Sequence, residues 1–240
     1  LIVGEIADAE LVGRTIREHD VTAIVHFAAY KNVGESMAQP GRYFRNNVDG
    51  TVRLLDAAVA NGVREFVFSS SCSVYGTPEV VPVSEAESIK PESVYAETKA
   101  IVERILRWYD TVHGVRSVSL RYFNAAGASF DSTIGEDWTY ALNLIPVPIR
   151  ALLTGDQELQ VFGDDYDTPD GTCIRDYIHV DDLAAAHVAA LDHLAAGGAT
   201  EAVNVGTGVG SSVLEVLDAI EAVAGTPVPH RFVARRAGDP

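Results

Sequence analysis

The sequence predicts an α/β fold, a doubly wound parallel sheet with a smaller α+β lobe beside it. Three observations carry that prediction. Residues 21–28, 65–70 and 117–122 are short, near-continuous runs rich in apolar and β-branched side chains, the pattern of strands buried on both faces. Helical periodicity fills the gaps between them, over residues 49–59 and again after Tyr95. The resulting strand–helix–strand–helix–strand order closes through right-handed crossovers into a parallel sheet.

The elements follow in order. Residues 21–28 read as the first buried strand. Val52, Leu55, Asp56 and Val59 then repeat at helical spacing, with Asn61-Gly62 as the stop. Residues 65–70 form the second strand. Beyond Tyr95, the side chains of Ile101, Val102, Ile105, Leu106 and Tyr109 make an apolar helical stripe. Residues 117–122 are the third strand. Ligands of doubly wound sheets lie at the carboxyl ends of the strands. There the sequence places Phe27-Ala28-Ala29, Ser69-Ser70-Ser71 and Tyr122-Phe123-Asn124. After Asn124 the pattern loosens, and Pro146, Pro148, Gly155, Gly163 and Pro169 punctuate short helical and strand pieces as far as Gly171. An alanine-rich helix is expected over 181–194 with Asp181 as its N-cap. A short strand over 203–205 and a helix over 212–224, ended by Gly225, complete the chain. The expected division is 1–125 for the sheet domain and 126–240 for the smaller lobe, interleaved with the first and cut short at its C-terminus.

Composition narrows the function. The 240 residues carry 34 acidic and 18 basic side chains, a net charge of −16. That balance disfavours a nucleic-acid backbone as partner, while a small anion needs only a local arginine cluster. Cys72 and Cys173 form no disulfide framework and no metal-ligand spacing, so no metal is expected. No apolar run is long enough to span a membrane and no signal peptide is visible, so a reducing cytoplasm is the expected compartment. The chain opens on Leu1 and its single methionine is Met37. It reads as if it begins mid-domain, and a longer parent protein is expected. Gly206-Thr-Gly208-Val-Gly210 follows a strand and precedes a helix, but a dinucleotide fingerprint needs glycine at position 211, where Ser211 stands. It is read as a turn, and the phosphate-binding loop is expected upstream of Leu1.

The chemistry centres on Tyr95 and Lys99, four residues apart and so on one face of a helix. A phenol titrates near ~10 and is a poor base at neutral pH. A neighbouring ammonium favours the phenolate, and the pair can then move a proton on or off a hydroxyl. A lone Tyr-x-x-x-Lys is usually a surface pair; here its neighbours decide.

Those neighbours resemble the extended short-chain dehydrogenase/reductase family nearly end to end. The motifs are His26-Phe-Ala-Ala-Tyr-Lys31, Val33-Gly-Glu-Ser36, Asn46-Asn-Val48, Phe68-Ser-Ser-Ser-Cys-Ser-Val-Tyr-Gly76, Tyr95-Ala-Glu-Thr-Lys99 and Arg121-Tyr-Phe-Asn124. Gly163-Asp-Asp165, residues 170–180 and Arg235-Arg-Ala-Gly-Asp239 continue the series. The resemblance implies a Rossmann-like domain lacking its N-terminal βαβ portion, NAD as cofactor, and 4-epimerisation of a UDP-hexose through a transient 4-keto sugar. It implies Tyr95 as acid/base, Lys99 as its electrostatic partner and Ser71 as a hydrogen-bond donor to the sugar O4. Glu5, Ile6, Phe27, Ala28, Ala29, Lys31, Asn46, Ser71, Tyr95, Lys99 and Phe123 would line the NAD site. Lys31, Ser71, Tyr95, Asn124, Asn143, Leu144, Gln160, Phe162, Arg175, Arg236 and Asp239 would line the nucleotide-sugar site. Arginines suit that role, because a planar fork grips two phosphate oxygens. A homodimer is expected. A dehydratase would carry Asp-Glu after the serine, where Cys72-Ser73 stand. Three alternatives stay open: UDP-N-acetylhexosamine or another nucleotide sugar as the substrate, a non-catalytic NAD-sensing regulator, and a piece inert without its N-terminal part.

Overall fold

The computed structural model describes residues 1–139, 143–155 and 158–235. It divides into two compact units, Leu1–Tyr122 with Ala184–Val205, and Phe123–Leu183 with the chain from Gly206. Residues 184–205, expected in the smaller lobe, therefore fold with the sheet.

In the first unit, α1 (Ala9–Glu18) starts where Asp8 accepts the Leu11 N–H at 3.0 Å. Strand β1 (Ala23–His26) is shorter than the 21–28 run, because Val21 instead donates its N–H to Ile16 O and Phe27 leaves the sheet 58% exposed. Next come α2 (Val33–Ala38) and α3 (Pro40–Tyr43), then a π-helical turn at Phe44–Asp49 that runs straight into α4 (Gly50–Ala60). Strand β2 (Glu65–Ser69) ends in a tight 3₁₀ turn, Cys72–Tyr75. Helix α5 (Val94–His113) is capped by Ser93, whose side chain accepts the Ala96 N–H, and stops at Gly114 in the left-handed region, φ +69°. It leads to β3 (Arg116–Tyr122).

The chain then builds β4 (Asn124–Ala126), α6 (Pro146–Thr154), β5 (Leu159–Phe162) and β6 (Ile174–His179). Helix α7 (Val180–Ala195) carries the chain to β7 (Glu201–Val205) of the first unit. Asp181 is not its N-cap but lies inside the first turn; its N–H donates to His179 Nδ1 at 3.2 Å. Last come β8 (Gly210–Ser212), α8 (Val213–Ala224) and β9 (His230–Val233). Ser212 and Glu215 form a reciprocal capping box at the start of α8.

The first unit holds a four-stranded, wholly parallel sheet in the order β1-β2-β3-β7. Alternation along β2 serves both faces. Phe66 and Phe68 pack with Leu54, Leu55, Val102 and Leu106 of α4 and α5, whereas Val67 packs with Val118, Leu120 and Ala190 and Leu194 of α7. The second unit has a three-stranded sheet, β4-β6-β8, and a parallel pair, β5-β9, over a core of Leu159, Val161, Val213, Leu217 and Val228. The Gly206–Gly210 stretch is the expected turn. Its Thr207 and Gly208 N–H groups donate to the Asp176 carboxylate at 3.0 and 2.8 Å, so its anion-binding donors are spent on the chain's own acid.

Candidate active site

Tyr95 and Lys99 do lie one turn apart at the start of α5. Lys99 is 3% exposed, and its Nζ donates to Ser69 O at 2.6 Å beside the Phe68 ring. Burial lowers the lysine to about 8. Burial also pushes the Tyr95 phenol well above its ordinary value, and a side-chain hydrogen bond with Ser71 pulls the other way. The expected downward pull of Lys99 on the phenol does not set the sign. Its ammonium stands 5.7 Å from the Tyr95 ring centre and is turned to a backbone carbonyl. In this state the tyrosine is a protonated acid and the lysine an ammonium held near its titration point.

Ser71 lies two residues past the end of β2 and accepts from the Ser73 N–H and hydroxyl at 3.2 and 2.9 Å. Both contacts leave its own hydrogen for Tyr95 or a ligand. Beneath it, Ser70 donates to Glu103 at 2.6 Å, and Glu103 pairs in bidentate fashion with Arg121 at 2.9 and 2.5 Å. Arg121 also donates to Tyr75 Oη at 2.9 Å, and Tyr75 donates to Asn204 at 2.6 Å. This buried chain of polar groups ties β2, α5, β3 and β7 together under the serine loop. Sequence reading missed it, since a Glu inside a helix and an Arg inside a strand look like surface charges.

Phe27, Ala28 and Ala29 emerge from the carboxyl end of β1. One side of the Phe27 ring is backed by His187 of α7, with ring centres 4.7 Å apart. Lys31 is exposed, just ahead of α2. Asn46 donates to Asn47 Oδ1 at 2.9 Å. Asn47 itself is buried: it accepts the Tyr30 N–H at 2.9 Å and donates to Tyr30 O at 3.0 Å and Thr98 at 3.1 Å. It thereby joins the Phe27–Lys31 stretch to α5, a role the sequence did not disclose. Glu5 is exposed near the N-terminus and Ile6 rests against Gly50.

These residues suit a dinucleotide. A buried ammonium has three donors, and Lys99 spends one on a protein acceptor among the described residues, leaving donors for ligand hydroxyls. Phe27, with small Ala28 and Ala29 after it, offers an open apolar face at the strand end.

The other expected residues that are described lie in the second unit. Phe123 and Asn124 follow β3, and Asn124 donates to Asp176 O at 3.0 Å. Asn143 donates to Glu136 at 3.2 Å, and Leu144 packs against the core of Leu159 and Val161. Gln160 and Phe162 sit on β5, and Arg175 sits on β6. Arg236 and Asp239 lie outside the described residues. Of the residues expected from the resemblance, Glu5, Ile6, Phe27, Ala28, Ala29, Lys31, Asn46, Ser71, Tyr95 and Lys99 fall in the first unit, and Phe123, Asn124, Asn143, Leu144, Gln160, Phe162 and Arg175 in the second.

The chain belongs to the NAD dependent epimerase/dehydratase family, whose model matches residues 1–206. Within that class it is similar to UDP-glucose 4-epimerases. That of Rhizobium meliloti (strain 1021) is 49% identical over 236 residues, 98% of this chain and 72% of the relative. That of Azospirillum brasilense is 48% identical over 240 residues, 100% of this chain and 69% of the relative. The crystal structure of UDP-glucose 4-epimerase from Brucella ovis in complex with NAD matches with a TM-score of 0.96 at 46% identity, covering 100% of this chain and 74% of that one.

Proposed function

We propose that this chain is an isomerase that interconverts UDP-galactose and UDP-glucose with NAD as cofactor. The observation that carries the reading is the buried Lys99 one turn behind a tyrosine that meets Ser71, at the carboxyl end of a parallel sheet, in a chain whose relatives bear that name. Inverting a carbon that bears only hydrogen and hydroxyl requires a temporary carbonyl. NAD, when bound, supplies the acceptor and donor for the C4 hydride. Tyr95, once its own proton has left to solvent in the loaded site, acts as the phenolate: it takes the O4 proton as the carbonyl forms and returns it as the carbonyl is reduced. Ser71 donates to O4 and fixes its direction toward the phenol. Lys99 places positive charge behind the tyrosine as it loses its proton. Asn124, Asn143, Leu144, Gln160, Phe162, Arg175, Arg236 and Asp239 hold the nucleotide sugar, with the arginines on the pyrophosphate.

A relative at 41% identity, from Campylobacter jejuni, is described as a UDP-Glc/GlcNAc 4-epimerase, so UDP-N-acetylglucosamine is the substrate to assay beside UDP-glucose. The protein is proposed to act as a cytoplasmic homodimer. No helix among the described residues is long and apolar enough to cross a membrane, and neither Cys72 nor Cys173 is in a disulfide. Analytical ultracentrifugation and cell fractionation test these two points. The activity is tested by Tyr95→Phe, which removes one hydroxyl and leaves the ring. With bound NAD verified, conversion of UDP-galactose should fall roughly 10²–10⁴-fold. A wild-type rate in that variant means another group carries the proton.

A further inference from the structure

Val33-Gly-Glu-Ser36 has no part in the chemistry above, yet Ser36 is 0% exposed in α2. Its hydroxyl donates to Val33 O at 2.6 Å. The single hydrogen is thereby used, and the oxygen is left as an acceptor. It accepts the backbone N–H of Tyr95 at 3.1 Å, across 59 positions of chain. The first N–H groups of a helix have no partner within it. In α5, Ser93 takes that of Ala96, and Ser36 takes that of the catalytic tyrosine itself. The carbonyl of Tyr95 is held too, by the Thr98 hydroxyl at 2.7 Å. Helix α2 is a firm support. Asn32 accepts the Glu35 N–H at 2.9 Å, and the Glu35 carboxylate pairs with Arg42 and accepts from Tyr43.

We propose that Ser36 is a positioning residue for proton transfer, fixing the backbone of Tyr95 so that the phenol meets Ser71. It touches neither sugar nor cofactor, and the assignment rests on Tyr95 being the proton carrier. The hydroxyl of Ser36 is the link between the strut of α2 and the reacting turn of α5. Without it the first turn loses a buried partner and the phenol loses its fixed approach to Ser71.

The test is Ser36→Ala in the NAD-loaded enzyme, with Tyr95→Phe alongside. Turnover should fall about tenfold, as for one lost hydrogen bond in the reacting geometry. The KM for UDP-galactose should stay unchanged, because nothing that holds the nucleotide is altered. The limb of the kcat/KM–pH profile that reports the tyrosine in the free enzyme should move to higher pH, because there the Ser71 bond that favours the phenolate is weakened. A purely structural serine would lower the melting temperature and leave that limb in place. Ser36→Cys, which keeps the volume and a weak acceptor, should recover part of the rate, and it carries the same pH test if the alanine variant does not fold. Wild-type turnover with an unmoved limb overturns the proposal while Tyr95→Phe remains inactive. A fully active Tyr95→Phe overturns the reading beneath it instead.

Discussion

The buried ion pair beneath the serine loop supports a quantitative prediction. Arg121 and Glu103 have side chains 3% and 4% exposed, paired through two hydrogen bonds. Burial alone disfavours the Arg121 charge, but the hydrogen bonds and charge of Glu103, with Tyr75, raise its pKa overall. Arg121→Met keeps an unbranched apolar stem and removes the guanidinium with its charge. Glu103 is then a buried carboxylate with Ser70 as its one remaining hydrogen-bond donor among the described residues. Breaking such a pair from one side costs about 3–5 kcal/mol. At about 2–4 °C per kcal/mol for a chain of this size, the melting temperature should drop by about 6–20 °C. Thermal unfolding followed by circular dichroism measures this directly. Because Ser70 adjoins Ser71, turnover should fall at temperatures where the variant is still folded. Arg121→Met/Glu103→Leu removes both charges and should recover part of the lost stability. A melting temperature of Arg121→Met within about 2 °C of wild type would show that water solvates Glu103, and the buried-pair reasoning would fail.

Further tests concern titration and ligand grip. His26 donates from Nε2 to Thr51, whose own hydrogen goes to Asn47 O, and burial followed by the Lys99 charge lowers its pKa from 6.5 to about 4. The unfolded chain therefore binds a proton first as pH falls, so stability present above pH 6.5 is lost down to about pH 4. This loss amounts to roughly 3 kcal/mol by urea unfolding, and His26→Gln should flatten the slope. Lys99, lowered by burial from 10.5 to about 8, destabilises the ligand-free fold below that window, and stability should rise with pH across it. Lys99→Met should accordingly raise the melting temperature at pH 7, raise it less at pH 9.5, and abolish fast turnover. A lower melting temperature at pH 7 would refute the burial cost. Arg175→Ala should weaken UDP binding by about 1.5–3 kcal/mol in calorimetry, and unchanged affinity would remove Arg175 from the pyrophosphate site.

How far the sequence disclosed this molecule depended on which forces shaped each segment. The strands of the parallel sheet were legible because both faces are apolar, as in Phe66-Val67-Phe68. Their ends were not, since Phe27 and Ala28 are apolar yet leave the sheet, and a hydrophobic count cannot tell a buried side chain from one kept open. The helix of Tyr95 and Lys99 was legible from its stripe, and Gly114 ends it as a left-handed cap. In the second unit, Ile174–His179 carries Arg175, Asp176 and His179 within one strand. Its polar groups serve local contacts, such as Asp176 on the Thr207 loop, so periodicity gave no strand signal. Tyr95, Lys99 and Ser71 could be named from motifs. Ser36, Asn47 and the Arg121–Glu103 pair could not be assigned roles, because each acts through contacts across 18 or more positions of chain.

The return of α7 and β7 to the first sheet sets a rule for anyone dividing this gene. A fragment stopped at residue 125 would keep every strand of the familiar strand–helix series, yet it would lack the cover over Val67, Val118 and Leu120. It would also leave β3 an open edge, its ladder to Glu201–Val205 gone. Such an edge beside a bared apolar face is a template for self-association. Modules exchanged between related proteins should therefore be cut as two-piece inserts that carry residues 184–205 with the sheet, and a single crossover at the apparent midpoint should yield aggregates.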